Sequence, residues 1–145
     1  MHTIHKKVCL LGDFAVGKTS LIRRFVEGRF DDKYLSTIGV KISRKPLTRK
    51  DHILNLLIWD LAGGDDFSKA KASYLRGATG ALLVCDLSRQ ETLARLTYYA
   101  DQLRDIDETA VMVFIGNKAD LVEERKISDT ELANIAQAYN APWLL

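Results

Sequence analysis

The chain has 145 residues, 47% of them hydrophobic, and a formal net charge of +2. That length suits one domain with a core of ordinary size, and the near-neutral balance excludes a global electrostatic footprint for nucleic acid. No apolar run approaches membrane-spanning length, no secretory leader is present, and Cys9 and Cys85 both lie inside apolar runs, as fits a reducing cytosol.

In chain order, a strand predicted over about 4–12 contains Val8-Cys9-Leu10-Leu11 and leads into Gly12-Asp13-Phe14-Ala15-Val16-Gly17-Lys18-Thr19. That octet fits the pattern G-x-x-x-x-G-K-[ST]. Two glycines let the chain curl so that successive N–H groups converge on phosphate oxygens, and the helix predicted over 18–27 adds the positive end of its dipole. Lys18 supplies a full charge to the β- and γ-phosphates, and Thr19 offers a hydroxyl to an accompanying magnesium ion. The pattern predicts a nucleoside triphosphate site. Leu21, Ile22 and Phe25 share one face of the following helix, which Gly28 ends.

From Phe30 to Gly39 the connection is long and rich in polar residues, which marks a functional loop. Thr37 could join the magnesium shell when a γ-phosphate holds this loop closed, and Phe30 could stack on the edge of a base. Residues 40–49 reach the strand predicted over 52–60 through Lys50-Asp51-His52, a link so short that the pair must be antiparallel. Lys41, Arg44, Lys45, Arg49 and Lys50 crowd this hairpin, either to keep a sheet edge soluble or to meet an acidic partner.

Strands at about 80–86 and 110–116 then alternate with helices at about 68–76, 90–105 and 128–139. Such alternation predicts a parallel sheet covered on both faces. Ser88 with Glu91, and Ser128 with Glu131, read as capping boxes, and Ile127 as a staple onto Leu132. Leu132, Ile135, Ala136 and Tyr139 recur at helical spacing as core. His2, His5 and His52 read as scattered, without the neighbours of a ligand set.

In an open parallel sheet, ligands bind beyond the carboxyl ends of the strands, so chemistry is expected just after each apolar run. After Leu56-Leu57-Ile58-Trp59 comes Asp60-Leu61-Ala62-Gly63. Asp60 is placed to reach the magnesium shell, through water, and Gly63 to offer its N–H to a γ-phosphate. After Val111-Met112-Val113-Phe114-Ile115 comes Gly116-Asn117-Lys118-Ala119-Asp120-Leu121, which contains N-K-x-D. A carboxylate at Asp120 accepts from the N1–H and exocyclic amine of guanine, a donor pair adenine lacks. Asn117 is expected to brace the loops and Lys118 to lie along the base.

Lys-Val-Cys-Leu-Leu-Gly-Asp, Ser-Thr-Ile-Gly-Val and Trp-Asp-Leu-Ala-Gly, with Tyr74-Leu75-Arg76-Gly77-Ala78, resemble the Rab branch of the Ras superfamily of small GTPases. The resemblance runs across essentially the whole chain. It implies an α/β fold, a P-loop NTPase G domain over 1–145, with a mostly parallel six-stranded sheet, one antiparallel strand and helices on both faces. GTP/GDP and Mg2+ are the implied cofactors. Nucleotide contacts would come from Gly12, Asp13, Phe14, Ala15, Val16, Gly17, Lys18, Thr19, Ser20, Phe30, Tyr34, Thr37, Gly63, Asn117, Lys118, Asp120 and Leu121. Metal contacts would come from Thr19, Thr37 and Asp60, and the catalytic positions are Lys18, Thr37, Gly63 and Gly64. The resemblance further implies that GTP would close the loops around Thr37 and Gly63 and that loss of the γ-phosphate would release them. Effector and regulatory proteins, rather than nucleic acid, would engage loops 30–40 and 61–76.

Three departures qualify that expectation. Gly64 stands where the family places a glutamine that orients the attacking water, and Phe14 occupies a usually small position beside the γ-phosphate. Both predict slow hydrolysis, or, as the alternative, a hydrolysis-deficient, GTP-bound interaction module. The chain also stops at Pro142-Trp143-Leu144-Leu145, where the family continues through a guanine-contacting loop and a last helix. We therefore expect a truncated domain lacking that helix, part of one sheet face bare, and no membrane anchor in this chain. The expected location is cytoplasmic, with membrane association through a missing tail or through partners.

Overall fold

The computed structural model describes residues 2–13, 21, 41–61, 73–118, 120 and 122–145. In chain order they form β1 (His2–Leu11), β2 (Lys41–Thr48), β3 (His52–Asp60), β4 (Ala78–Asp86), α1 (Gln90–Ile106), β5 (Val111–Asn117), α2 (Asp129–Ala138) and β6 (Trp143–Leu144). The strands make one sheet in the order β2-β3-β1-β4-β5-β6. All pairings are parallel except β2 with β3, which the short Lys50-Asp51-His52 link forces to be antiparallel. From β1 the chain builds β3 on one side and β4 on the other, so the crossovers diverge at the carboxyl end of β1. That divergence opens the crevice in which such sheets hold ligands. Arg44, Lys45 and Pro46 lie on β2, the outermost strand, where charge and a missing N–H oppose edge-to-edge pairing.

Side chains alternate across the sheet with the period of a strand. Cys9, Leu11, Leu83, Cys85, Met112 and Phe114 face α1 and α2, which contribute Leu93, Leu96, Tyr99, Leu103, Leu132 and Ala136 to one buried cluster. On the opposite face Leu10, Ile58 and Val84 are buried, with Leu21, Leu56, Leu82 and Ile115 against them. Leu21 is the described residue of the helix predicted over 18–27, the rest of which lies outside the described residues. An open apolar groove on this face is lined by Val8, Leu10, Leu56, Ile58, Leu82 and Ile115, among others. Burial lifts the Cys9 thiol to about 11 and the Cys85 thiol to about 12, so both pack as small hydrophobes rather than as nucleophiles.

The α2 start behaves as its sequence predicts. Glu131 N–H donates to Ser128 Oγ at 3.1 Å, Ser128 N–H donates to Glu131 Oε1 at 3.1 Å, and Ile127 and Leu132 are both fully buried beside this box. Ile135 and Tyr139 complete the stripe, the latter stacking on Phe114 with centroids 5.7 Å apart. At the α1 start the predicted Ser88–Glu91 box is absent. Arg89 is the N-cap and its donor-only guanidinium gives no side-chain cap, while the Ser88 hydroxyl and N–H are both drawn to Asp86 Oδ1, at 2.6 and 2.9 Å. A nearby buried carboxylate outcompetes the helix end for a serine. The helix predicted over 68–76 is also corrected where it is described: Ser73–Leu75 form one 3-10 turn, closed by Gly77 at φ 80°. Lys7 anchors that turn, its Nζ donating to the Tyr74 carbonyl and, at 2.8 Å, to the Arg76 carbonyl, while lying 3.8 Å from the Trp59 ring centroid.

The histidines are not scattered. Parallel pairing of β1 with β3 sets His2 beside His52, ring centroids 5.9 Å apart, and His52 Nδ1 lies 2.7 Å from Asp51 Oδ1. They sit at the amino ends of the strands, and among the described residues no His, Cys, Asp and Glu group has a metal-holding arrangement.

Gly80 faces Val111 across the β4–β5 ladder, and a Cβ there would lie 2.7 Å from the Val111 carbonyl oxygen. Backbone cannot give way as a flexible side chain does. Gly80→Ala is therefore expected to cost about 2 kcal/mol, read from the urea midpoint at fixed nucleotide concentration.

Candidate functional site

The carboxyl ends of four parallel strands meet at one edge of the sheet. β1 ends into Gly12 and Asp13, β3 ends at Asp60, β4 at Asp86 and β5 at Asn117. Registry makes these ends adjacent: Leu10 pairs with Asp60, Leu11 with Leu83, and Asp86 with Asn117. Leu61 N–H then donates to the Leu10 carbonyl, holding the chain after Asp60 against β1. The carboxylates of Asp13, Asp60 and Asp86 are thus brought to the same edge by topology.

Asp86 organises the β4–β5 side of the site. Its side chain is fully buried, a position a carboxylate tolerates only when paired. Lys118 Nζ donates to Oδ2 at 2.7 Å, and Ser88 N–H and hydroxyl donate to Oδ1. Burial pushes the Asp86 carboxyl up, but the Lys118 and Ser88 bonds outweigh it and hold it below the usual 3.8. Lys118 reaches inward from φ 67°, the left-handed region, just before the turn that holds the exposed Asp120. Its ammonium head thus pairs with Asp86 across the β4–β5 ends. Leu87 N–H donates to the Asn117 carbonyl at 3.0 Å, and the Leu87 carbonyl accepts from Lys126 N–H at 2.7 Å and Ile127 N–H at 3.1 Å. These bonds clamp the loop after β5 between β4 and the start of α2.

On the β1 side, Asp13 is nearly buried and its Oδ1 accepts from Tyr99 Oη at 2.7 Å and from Arg95 Nε at 3.3 Å. Both donors come from α1, whose core face already carries Tyr99.

Of the residues predicted for the site, Gly12, Asp13, Asp60, Asn117, Lys118 and Asp120 are described, and all lie at or just after the carboxyl ends of β1, β3 and β5. Phe14, Ala15, Val16, Gly17, Lys18, Thr19, Ser20, Phe30, Tyr34, Thr37, Gly63, Gly64 and Leu121 lie outside the described residues. Sequence reasoning missed Asp86, Arg95 and Tyr99. Asp86 carried a usable signal, because it ends an apolar run as Asp60 does. Arg95 and Tyr99 carried none, since their partner is about 80 residues away in the chain.

A mostly parallel sheet with helices packed on it and polar residues gathered at its strand ends has the form of a nucleotide-binding α/β domain. The model of the Ras family matches residues 7–144. Human Ras-related protein Rab-22A is 36% identical over 136 residues, covering 93% of this chain and 70% of that protein. Ras-related protein RABA1h of Arabidopsis thaliana is 39% identical over 135 residues, covering 92% of this chain and 62% of the relative. Rab-1D of Dictyostelium discoideum is 33% identical over 144 residues, 99% of this chain and 71% of its own length. The chain belongs to the Ras family of small GTP-binding proteins and is Rab-like within it. Among the described residues, no helix is long and apolar enough to cross a membrane.

Proposed function

We propose that this chain is a guanine-nucleotide switch of the Rab type, acting in vesicle traffic, that cycles slowly because its hydrolytic machinery is incomplete. The observation that carries the reading is the row of strand ends: Gly12 and Asp13, Asp60, and Asn117, Lys118 and Asp120 lie along one edge, with the Asp86–Lys118 pair fixing the last group. Gly12 to Ser20 would cradle the phosphates, with Lys18 supplying charge, and Phe30, Tyr34 and Leu121 would flank the base or sugar. Asp120 would select guanine. Asp60 ends β3, half-buried and next to the β1 terminus; reaching the shell through water, it would join the hydroxyls of Thr19 and Thr37 in an all-oxygen donor set that suits Mg2+. When bound, that ion would neutralise phosphate charge.

Turnover is where this chain differs from its family. Gly64 offers only a backbone N–H to an attacking water, and Phe14 places a ring in the phosphate loop. Loops 30–40 and 61–76 would be the surfaces read by effector and regulatory proteins. A second reading, a GTP-loaded interaction module that scarcely turns over, is favoured by the same two residues.

Single-turnover hydrolysis of GTP by the loaded protein separates the two. We expect slow release of phosphate by the native chain and acceleration of about tenfold or more by Gly64→Gln, the ~1.4 kcal/mol expected of one positioned hydrogen bond in the transition state. Rapid native turnover would overturn the assignment of Gly64. No turnover in either protein would leave the module.

A further inference from the structure

We propose that Tyr99 and Arg95 of α1 are positioning residues for the phosphate-binding loop, acting through Asp13. The proposal rests on the nucleotide reading above. A carboxylate in the loop that cradles a triphosphate is electrostatically unfavourable, because it repels the anion the loop exists to hold. Here that charge is answered from one side. Asp13 Oδ1 accepts a 2.7 Å hydrogen bond from the Tyr99 hydroxyl and lies 3.3 Å from Arg95 Nε.

Both donors are held in place. Tyr99 is fully buried in the cluster between α1 and the sheet, and a buried hydroxyl costs free energy unless it finds a partner. Asp13 is a partner it finds, which gives a tyrosine rather than a phenylalanine a physical reason at this core position. Arg95 lays its guanidinium over two rings, 4.6 Å from the centroid of Tyr98 and 5.3 Å from that of Tyr99. Those contacts restrict a long side chain that would otherwise lose entropy in reaching Asp13. The result ties the first residues after β1 to the α1 core, and it offsets the Asp13 charge.

The consequence is a slower nucleotide off-rate. The test uses the full chain loaded with a fluorescent GDP analogue in magnesium, chased with excess GDP, for the native protein, Tyr99→Phe, Arg95→Gln, Asp13→Ala and the Tyr99→Phe/Asp13→Ala double variant. Tyr99→Phe keeps the core ring and is expected to release nucleotide about tenfold faster, as loss of one hydrogen bond to a buried charge implies. Arg95→Gln, at a surface-accessible position, is expected to accelerate release several-fold. In the Asp13→Ala background, Tyr99→Phe should add less than about twofold, because the acceptor is already gone. A purely structural tyrosine would instead give independent, multiplying effects, and that outcome, or native release rates in both Tyr99→Phe and Arg95→Gln, overturns the proposal. Failure of the native protein to take up any guanine nucleotide would overturn the nucleotide reading itself, a result the variants cannot imitate.

Discussion

Replacing Asp120 with Asn is expected to lower GTP affinity by on the order of 10⁴-fold while raising affinity for xanthosine triphosphate, measured by competition against a fluorescent nucleotide. In the proposed site the Asp120 carboxylate accepts both the N1–H and the exocyclic amine of guanine. An amide presents one acceptor and one donor, so one guanine N–H keeps a partner in the amide oxygen while the other faces an N–H. Xanthine carries an oxygen where guanine has the amine, and the same amide then matches it. The position permits this role: Asp120 is exposed, in the turn after β5, and its loop is clamped by the Leu87–Asn117 and Lys118–Asp86 bonds. A clamped loop discriminates strongly because it cannot relax to satisfy the wrong partner. Unchanged preference for GTP would remove Asp120 from base recognition.

The largest effect on stability is expected from Lys118→Met. Asp86 is fully buried, and the substitution leaves its charge with only the Ser88 donors among the side-chain bonds described above. Breaking a buried pair from one side typically costs about 3–5 kcal/mol. The native pair also makes a prediction in acid. Because the folded Asp86 carboxyl lies below its ordinary value of 3.8, its stabilisation is fully present above that pH and is lost as pH falls through the depressed folded value. Lys118→Met should remove most of this dependence and move the acid-unfolding midpoint to higher pH, as followed by circular dichroism. Asp86→Asn, which removes the charge and keeps the shape, should cost less than Lys118→Met in urea. The reverse order would mean that leaving the buried carboxylate without its lysine is not the costly event.

How far the chain could be read in advance differed between elements for identifiable reasons. β3 was predicted over 52–60 and runs from His52 to Asp60, because a dense apolar run bounded by polar turns leaves little freedom. α2 was equally legible, since Ser128, Glu131, Ile127 and Leu132 mark its start through contacts only a few residues apart. The same Ser–Glu spacing failed at α1. Ser88 had a competing acceptor in Asp86, and no local pattern indicates which acceptor a buried serine chooses. β1 begins at His2 rather than near residue 4, its exposed first half being carried by pairing with β3 and not by its own hydrophobicity.

The sequence by itself determined the alternation of strands and helices, the antiparallel hairpin, and the residues that follow β1, β3 and β5, because each is written within a window of about a dozen residues. Tertiary structure decided which of those residues touch. Lys118 meets Asp86, Tyr99 and Arg95 meet Asp13, and His2 meets His52 only once parallel strands are set in register by the crossovers between them. Parallel registry is fixed by packing of both sheet faces, a property of the whole chain, so the electrostatics of the site could not be read from any one segment.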